Sequence, residues 1–415
     1  MLPAKQISDE ILFKLIRKTV IPFQRKRFNA NFSPVNYERL IQSLEKTVGL
    51  HIEFRLSETP VFLPAELLKQ IVQSAADINK QLLTPEYLAT TDRAIPSDFF
   101  APHQTPHPTF IQIDFAIIRH ADGSFAPQLV ELQGCASVHA FQLLLSQAYQ
   151  NIYQLNDSRY LLPDLSDKNY VELLRRTIIG RHSPDEVVLL EVEPTQQKTR
   201  PDFIVTEQLL GVKTVAINEI IKRKNQLFYP RQGCEIPIKR IYNRVIVDEL
   251  IRKNTQYNFD YRDELEVEWA GHPNWFFRLS KFSLPYLKHK SVPRSWFLNQ
   301  LNTYPEDLAN FVLKPLFSFA GSGVQVNISR ADLDAIPATE RENYLLQEKI
   351  NYGAVIETPD DPAKVEVRVM FLWPDDDPEP TPTMLLGRMS KGAMMGVDFN
   401  KNKTWVGASA CFFDL

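Results

Sequence analysis

The chain has 415 residues, 44% hydrophobic and 23% charged, with 47 Lys and Arg against 50 Asp and Glu, enough for two or three domains of roughly 100–200 residues. The net charge of −3 supplies no attractive field for nucleic acid, and no apolar run reaches the ~18–20 residues that cross a bilayer. Cys135, Cys234 and Cys411 are odd in number and far apart, which offers neither a disulfide framework nor a CxxC metal site and fits a reducing, cytoplasmic setting.

Residues 1–105 read as a helical N-terminal region. Ile11, Leu12, Leu15 and Ile16, then Leu40, Leu44 and Val48, then Leu67, Leu68, Ile71 and Val72 recur at helical spacing, the pattern of helices that turn one face to a core. Asp9, Glu10 and several basic residues interrupt the apolar run that a signal peptide needs. The Pro-, His- and Phe-rich stretch 96–108 ends this region.

Residues 106–265 change texture. FIQIDFAIIRH, the turn Ala121-Asp122-Gly123-Ser124 and PQLVELQG predict an antiparallel hairpin, followed by a helix over 138–155. EVVLLEVEP and FIVTEQLLGVKTVAINEI predict strand–helix–strand units of an α/β layer. QLFYPRQGCEIPIKRIYNRVIVDEL predicts a further antiparallel pair leading into a helix. Residues 266–415 mix strands and helices, with the acidic, Pro-rich loop 375–382 between two strands. The fold class is α+β.

The hairpin carries the first chemistry. Asp114 stands in the apolar run IQIDFAII, where a carboxylate is expensive unless paired or metal-bound. Glu131 and Gln133 flank Leu132, so the period of a strand points both to one face. Pairing through the Asp-Gly turn would converge all three groups, and hard oxygens of this kind suit magnesium. The same residues also suit the solvent face of a half-exposed sheet.

The second chemistry lies in FVLKPLFSFAGSGVQV. A short strand delivers Lys314, and Ser318, Gly321, Ser322 and Gly323 offer backbone N–H groups that can approach a phosphate closely. Lys314 precedes the glycines, so this is not a Walker loop. A simple hairpin returning through Val324-Gln325-Val326 fits the same residues. Downstream, LLQEKI suits a hinge where Gln347, Glu348 and Ile350 would meet the base and ribose of a nucleotide. In KVEVRVMFLW, Glu366 and Arg368 share one strand face, and Arg388 and Lys391 follow among Gly387, Gly392 and Gly396. A guanidinium fork of that kind fits phosphate oxygens.

In order, Asp114, Glu131-Leu132-Gln133, Lys314-Pro315, Gly321, Gly323-Val324, Gln347-Glu348 and Arg388 resemble the ATP-grasp superfamily. The likeness is to its glutathionylspermidine-synthase-like group, whose motif order is circularly permuted: xFD…LLExN comes before a KPxxxxxGxxV clamp, a YxxQE-like hinge and a late Arg. LLEVEPTQQKTRPDF, QGCEIPIKRIYNRVI and SKFSLPYL echo the group as well, so the resemblance covers residues 110–415. It implies an ATP-grasp-like fold with an α/β pre-ATP-grasp-like layer, a metal-binding hairpin within 106–265 and an ATP-clamp region over 266–415.

The resemblance also implies an ADP-forming carboxylate–amine ligase that makes an amide through an acylphosphate, using ATP and Mg2+ on small-molecule carboxylate and amine substrates: a small peptide, amino acid or polyamine. Asp114, Glu131 and Gln133 would hold magnesium. Lys314, Ser318, Gly321, Ser322, Gly323, Gln347, Glu348 and Ile350 would hold the nucleotide, and Arg388 would stabilise the transferring phosphoryl. Arg200, Asp202, Asn243 and Arg244 are candidates for the acceptor. The group usually has Asn where Gln133 stands, which opens the alternative of a degenerate nucleotide-binding or regulatory protein. Asp398-Phe399-Asn400 is a rival carboxylate-x-Asn metal motif. Cys135 and His139 read as packing.

Overall fold

The computed structural model describes residues 23–316 and 323–414. Phe23–Asn31, Pro34–Val48, Ala65–Asn79 and Pro85–Thr91 are α-helices. Pro34–Val48 starts on a proline in its first turn and stops at Gly49, whose φ of 73° lets its N–H cap Glu45 O at 2.8 Å. Leu40, Leu44 and Val48 are buried, as are Leu67 and Ile71. The stripe at 11–16 lies outside the described residues.

One strand interrupts the helical region. Val61–Leu63 pairs in parallel with Gly407–Asp414, so strands far apart in the chain share a sheet. Three apolar residues between prolines carry no alternation, and periodicity offers no strand there.

That sheet has eight strands. Its main order is Val61–Leu63, Gly407–Asp414, Thr381–Ser390, Ala363–Leu372, Phe110–Arg119, Phe125–Gln133. The last two form the expected hairpin, with Gln112 opposite Gln133 and Asp114 opposite Glu131. The next pair is Phe115 with Leu129, so Val130 is the extra residue of a β-bulge.

Alternation gives the sheet two unlike faces. Ile111, Ile113, Phe115, Val365, Val367 and Val369 share an apolar core with Leu67, Ile71 and Ile78 of helix Ala65–Asn79. On the opposite face Phe110, Met370 and Leu372 join a core with helix His139–Tyr153. Beside them, register aligns Arg368 with Asp114 and Arg388 with Glu366.

The α/β layer is a four-stranded sheet in the order Glu268–Ala270, Arg240–Asn243, Val187–Glu191, Lys213–Ala216, all parallel. Helix Arg200–Leu210 connects two of its strands. Arg240–Asn243 belongs to this sheet, whereas the antiparallel pair before it, Gln226–Arg231 with Cys234–Ile238, stands in a separate three-stranded sheet. A second four-stranded sheet, Ser295–Phe297, Tyr344–Glu348, Phe311–Pro315, Gln325–Val326, is antiparallel and encloses its own small core around Leu313, Leu333 and Leu346. It carries Lys314.

Candidate functional site

The charged face of the large sheet is a connected ion network. Arg368 holds Asp114 with two bonds, Nε to Oδ1 at 2.6 Å and Nη2 to Oδ2 at 2.7 Å, and its Nη1 donates to Gln112 Oε1 at 2.8 Å. Arg388 Nη2 donates to the same Asp114 and lies 2.8 Å from Glu366 Oε2. Tyr352 donates its hydroxyl to Glu366. Glu131 Oε1 lies 3.9 Å from Nη2 of both arginines. Every one of these carboxylates comes from a strand whose other face is apolar core, which fixes their positions.

The electrostatics follow from burial and pairing. Asp114 is fully buried, which opposes its charge, yet the two guanidiniums outweigh that and hold its carboxyl below the ordinary range. Glu366 is also buried; there desolvation prevails over Arg388, Asp114 adds repulsion, and its pKa rises. Burial works against the charge of Arg388, but Asp114 and Glu366 overcome it and its pKa rises.

Lys314 reaches this network from the other sheet. Its Nζ lies 3.5 Å from the carbonyl of Val130, the bulged residue. The side chain is nine-tenths buried, and desolvation lowers its pKa to about 8, against a partly compensating attraction from Glu131. Lys281 joins it, donating to Pro315 O at 3.3 Å; burial lowers its pKa, and Glu131 and Asp248 counter the shift. Sequence reading missed Lys281 as a site residue, although SKFSLPYL marked its segment.

The remaining expected residues divide. Ser318, Gly321 and Ser322 lie outside the described residues. Gly323 has φ 71°, and a Cβ there would sit 2.9 Å from Pro315 Cγ, so this position needs glycine. Gln325 and Val326 return as a strand on Leu313 and Val312, the hairpin that was the plainer reading. Gln347 is fully buried, its Nε2 donates to Ser295 Oγ at 2.9 Å, and its Oε1 is buried without a partner. Glu348 is held by Arg294 Nε at 2.7 Å, and Ile350 is half-buried beyond the strand end. Lys391 pairs with Asp360.

Arg200 is exposed at the start of its helix. Asn243 and Arg244 stand where strand Arg240–Asn243 ends, the edge at which open parallel sheets bind ligands. Asn243 Oδ1 accepts from Val245 N at 3.2 Å. Arg244 is buried, donates to Ala136 O, and lies 4.0 Å from Asp202, which in turn caps Ala140 N and Phe141 N at 3.0 Å each. Burial raises the thiol of Cys135 and lowers His139 to about 3, which leaves neither poised as nucleophile or base.

Magnesium binds hard oxygens and is held by one or two carboxylates. Asp114, Glu131 and Gln133 share one face, but each is engaged: both Asp114 oxygens accept from guanidiniums, Glu131 Oε1 accepts from Gln133 at 3.2 Å, and Gln133 Oε1 accepts from Cys135 at 3.4 Å. Among the described residues no three His, Cys, Asp or Glu side chains gather to share a metal. The set does not fit a resident ion in this arrangement. In the rival motif, Asn400 Oδ1 accepts from the backbone of Lys391 and Gly392 at 3.0 and 3.1 Å, which makes it a loop staple.

No family model matches the chain, and no curated protein matches it. Its fold is similar to that of a solved structure, a glutathione synthetase-like effector (GSS30) from Globodera pallida in the apo form. The TM-score is 0.56 at 11% identity, covering 91% of this chain and 97% of that one. Among the described residues no helix is long and apolar enough to cross a membrane.

Proposed function

We propose that the chain is an ATP-grasp-like protein that binds a nucleoside triphosphate between its clamp sheet and its large sheet, and that its reaction is ADP-forming ligation of a carboxylate to an amine. The observation that carries this reading is Lys314 standing against the bulge of the hairpin that bears Asp114 and Glu131. Two segments remote in sequence thereby meet and bring together cations suited to phosphate. The likeness to a glutathione synthetase-like fold supports the same class.

In this reading Lys314 and Lys281 hold phosphate oxygens, and strand Tyr344–Glu348 presents the hinge to the base. Arg388 offsets charge on the phosphoryl as the acceptor carboxylate attacks it, releasing ADP and leaving an acylphosphate. The amine then attacks the acyl carbon and phosphate leaves. Asp114 and Glu366 act as positioning residues for Arg388, and Arg244 with Asn243 is the candidate acceptor clamp. Arg200 is too exposed to share that role.

A binder without turnover is the second reading. It is favoured by one observation, the engagement of Asp114 by two guanidiniums where a ligase of this kind would hold metal. Incubation with ATP, Mg2+ and pooled amino acids, small peptides and polyamines separates the two. The ligase reading expects ADP and phosphate only when carboxylate and amine are both present; ATP binding with no phosphate release from any pool selects the binder.

A further inference from the structure

The charge balance where the two sheets meet points to how the nucleotide is held. Asp114, Glu131 and Glu366 face Arg368, Arg388, Lys314 and Lys281. Even with Asp248 counted beside Lys281, the acids do not outnumber the bases. A site built around a divalent cation gathers an excess of carboxylate; this one is neutral to positive, which suits an anion.

The donors are distributed accordingly. Among the described residues Arg388 Nε is buried with no hydrogen-bond partner, although its Nη2 serves both Asp114 and Glu366. The Lys314 ammonium, nine-tenths buried, touches the carbonyl of Val130 at 3.5 Å, at the outer limit of a hydrogen bond. Buried donors left this way are costly unless a ligand completes them. Carboxylate acceptors, by contrast, are largely taken, since Asp114 accepts three guanidinium bonds.

We infer that this chain binds the triphosphate of its nucleotide through its own cations, with no protein-held divalent metal, so that ATP binds without magnesium at least as tightly as with it. This deepens the nucleotide-binding reading above and rests on it. Magnesium that takes part in turnover then arrives on the nucleotide, as part of the substrate.

Calorimetric titration of the full chain with ATP, once in excess MgCl2 and once in EDTA, is the test. The inference expects a dissociation constant in EDTA no more than about threefold above that in MgCl2, or below it, and tripolyphosphate competing with ATP in both buffers. It also expects that Mn2+ titrated alone gives no bound signal in electron paramagnetic resonance that Glu131→Gln removes. An ATP affinity that falls tenfold or more in EDTA, about 1.4 kcal/mol, overturns the inference and leaves nucleotide binding standing. A Mn2+ site lost in Glu131→Gln does the same. Absence of ATP binding in both buffers overturns the nucleotide reading itself.

Discussion

Two arginines in this molecule, buried Arg240 and half-buried Arg388, have opposite fates. Arg240, at the start of a strand in the parallel sheet, has all five of its N–H donors matched: Nε to Ile178 O at 3.0 Å, Nη1 to Glu268 and Asp375 at 3.0 and 2.7 Å, Nη2 to Thr177 O and Asp375 at 3.1 and 3.2 Å. Arg388 pairs with Asp114 and Glu366, yet among the described residues its buried Nε has no partner and Lys314 has only a long contact. A guanidinium that closes every donor on its own protein is a structural joint. One that leaves donors open beside a second under-used cation is built toward something else.

Removing one partner from each network sharpens that contrast. Asp114→Asn takes a shared, fully buried counter-charge from Arg368 and Arg388 and should lower unfolding free energy by about 3–5 kcal/mol, the range for breaking a buried pair, read by urea denaturation. Arg240→Leu should cost less, about 1–3 kcal/mol, because it takes the donor from the carbonyls of Thr177 and Ile178 while the part-exposed Glu268 and Asp375 stay hydrated. Equal stability in either variant would show that the network is not what holds these side chains.

Lys314→Met should do the reverse. Its stability change is expected to stay within about 1 kcal/mol, since burial of the ammonium already opposes its charge, while ATP affinity falls roughly 10- to 100-fold with the loss of a charge-assisted bond. A large loss of stability with intact ATP binding would make Lys314 another structural joint.

The pH dependence separates the same two roles. Lys314 titrates near 8 in the folded chain, below the ordinary lysine value. Between that pH and about 10.4 the unfolded lysine binds more proton than the folded one, so this group's penalty is fully present below pH 8 and is relieved as pH rises. ATP binding runs the other way and should weaken as pH passes through 8, with the dependence lost in Lys314→Met. The smallest effect is expected from Gly323→Ala, about 1 kcal/mol for a Cβ placed at positive φ against Pro315.

The hairpin was legible in the sequence because its signals are local: an Asp-Gly turn, alternation, and two polar residues astride Leu132 fix register without reference to the rest of the chain. The α/β units were legible for the same reason. What escaped was non-local. Val61–Leu63 is a strand only because Gly407–Asp414 lies beside it, and Arg240–Asn243 joins Val187–Glu191 from across a helix and four strands. At the site, Asp114 was recognised as anomalous within an apolar run, and Glu366 and Arg368 as sharing a face. That Arg368 would close on Asp114 follows from strands separated by most of the chain coming into register, and no spacing rule reports that. The bulge at Val130, which frees the carbonyl that meets Lys314, is likewise a property of the paired strands.

Lys314 and Arg388, brought together where the clamp sheet meets the Asp114–Glu131 hairpin, are proposed to hold a triphosphate. The most direct measurement is a crystal structure soaked with a non-hydrolysable ATP analogue. Phosphate oxygens within hydrogen-bonding distance of both Lys314 Nζ and Arg388 Nε are the predicted result, and an analogue bound elsewhere, with those two atoms unmoved and untouched, would contradict it.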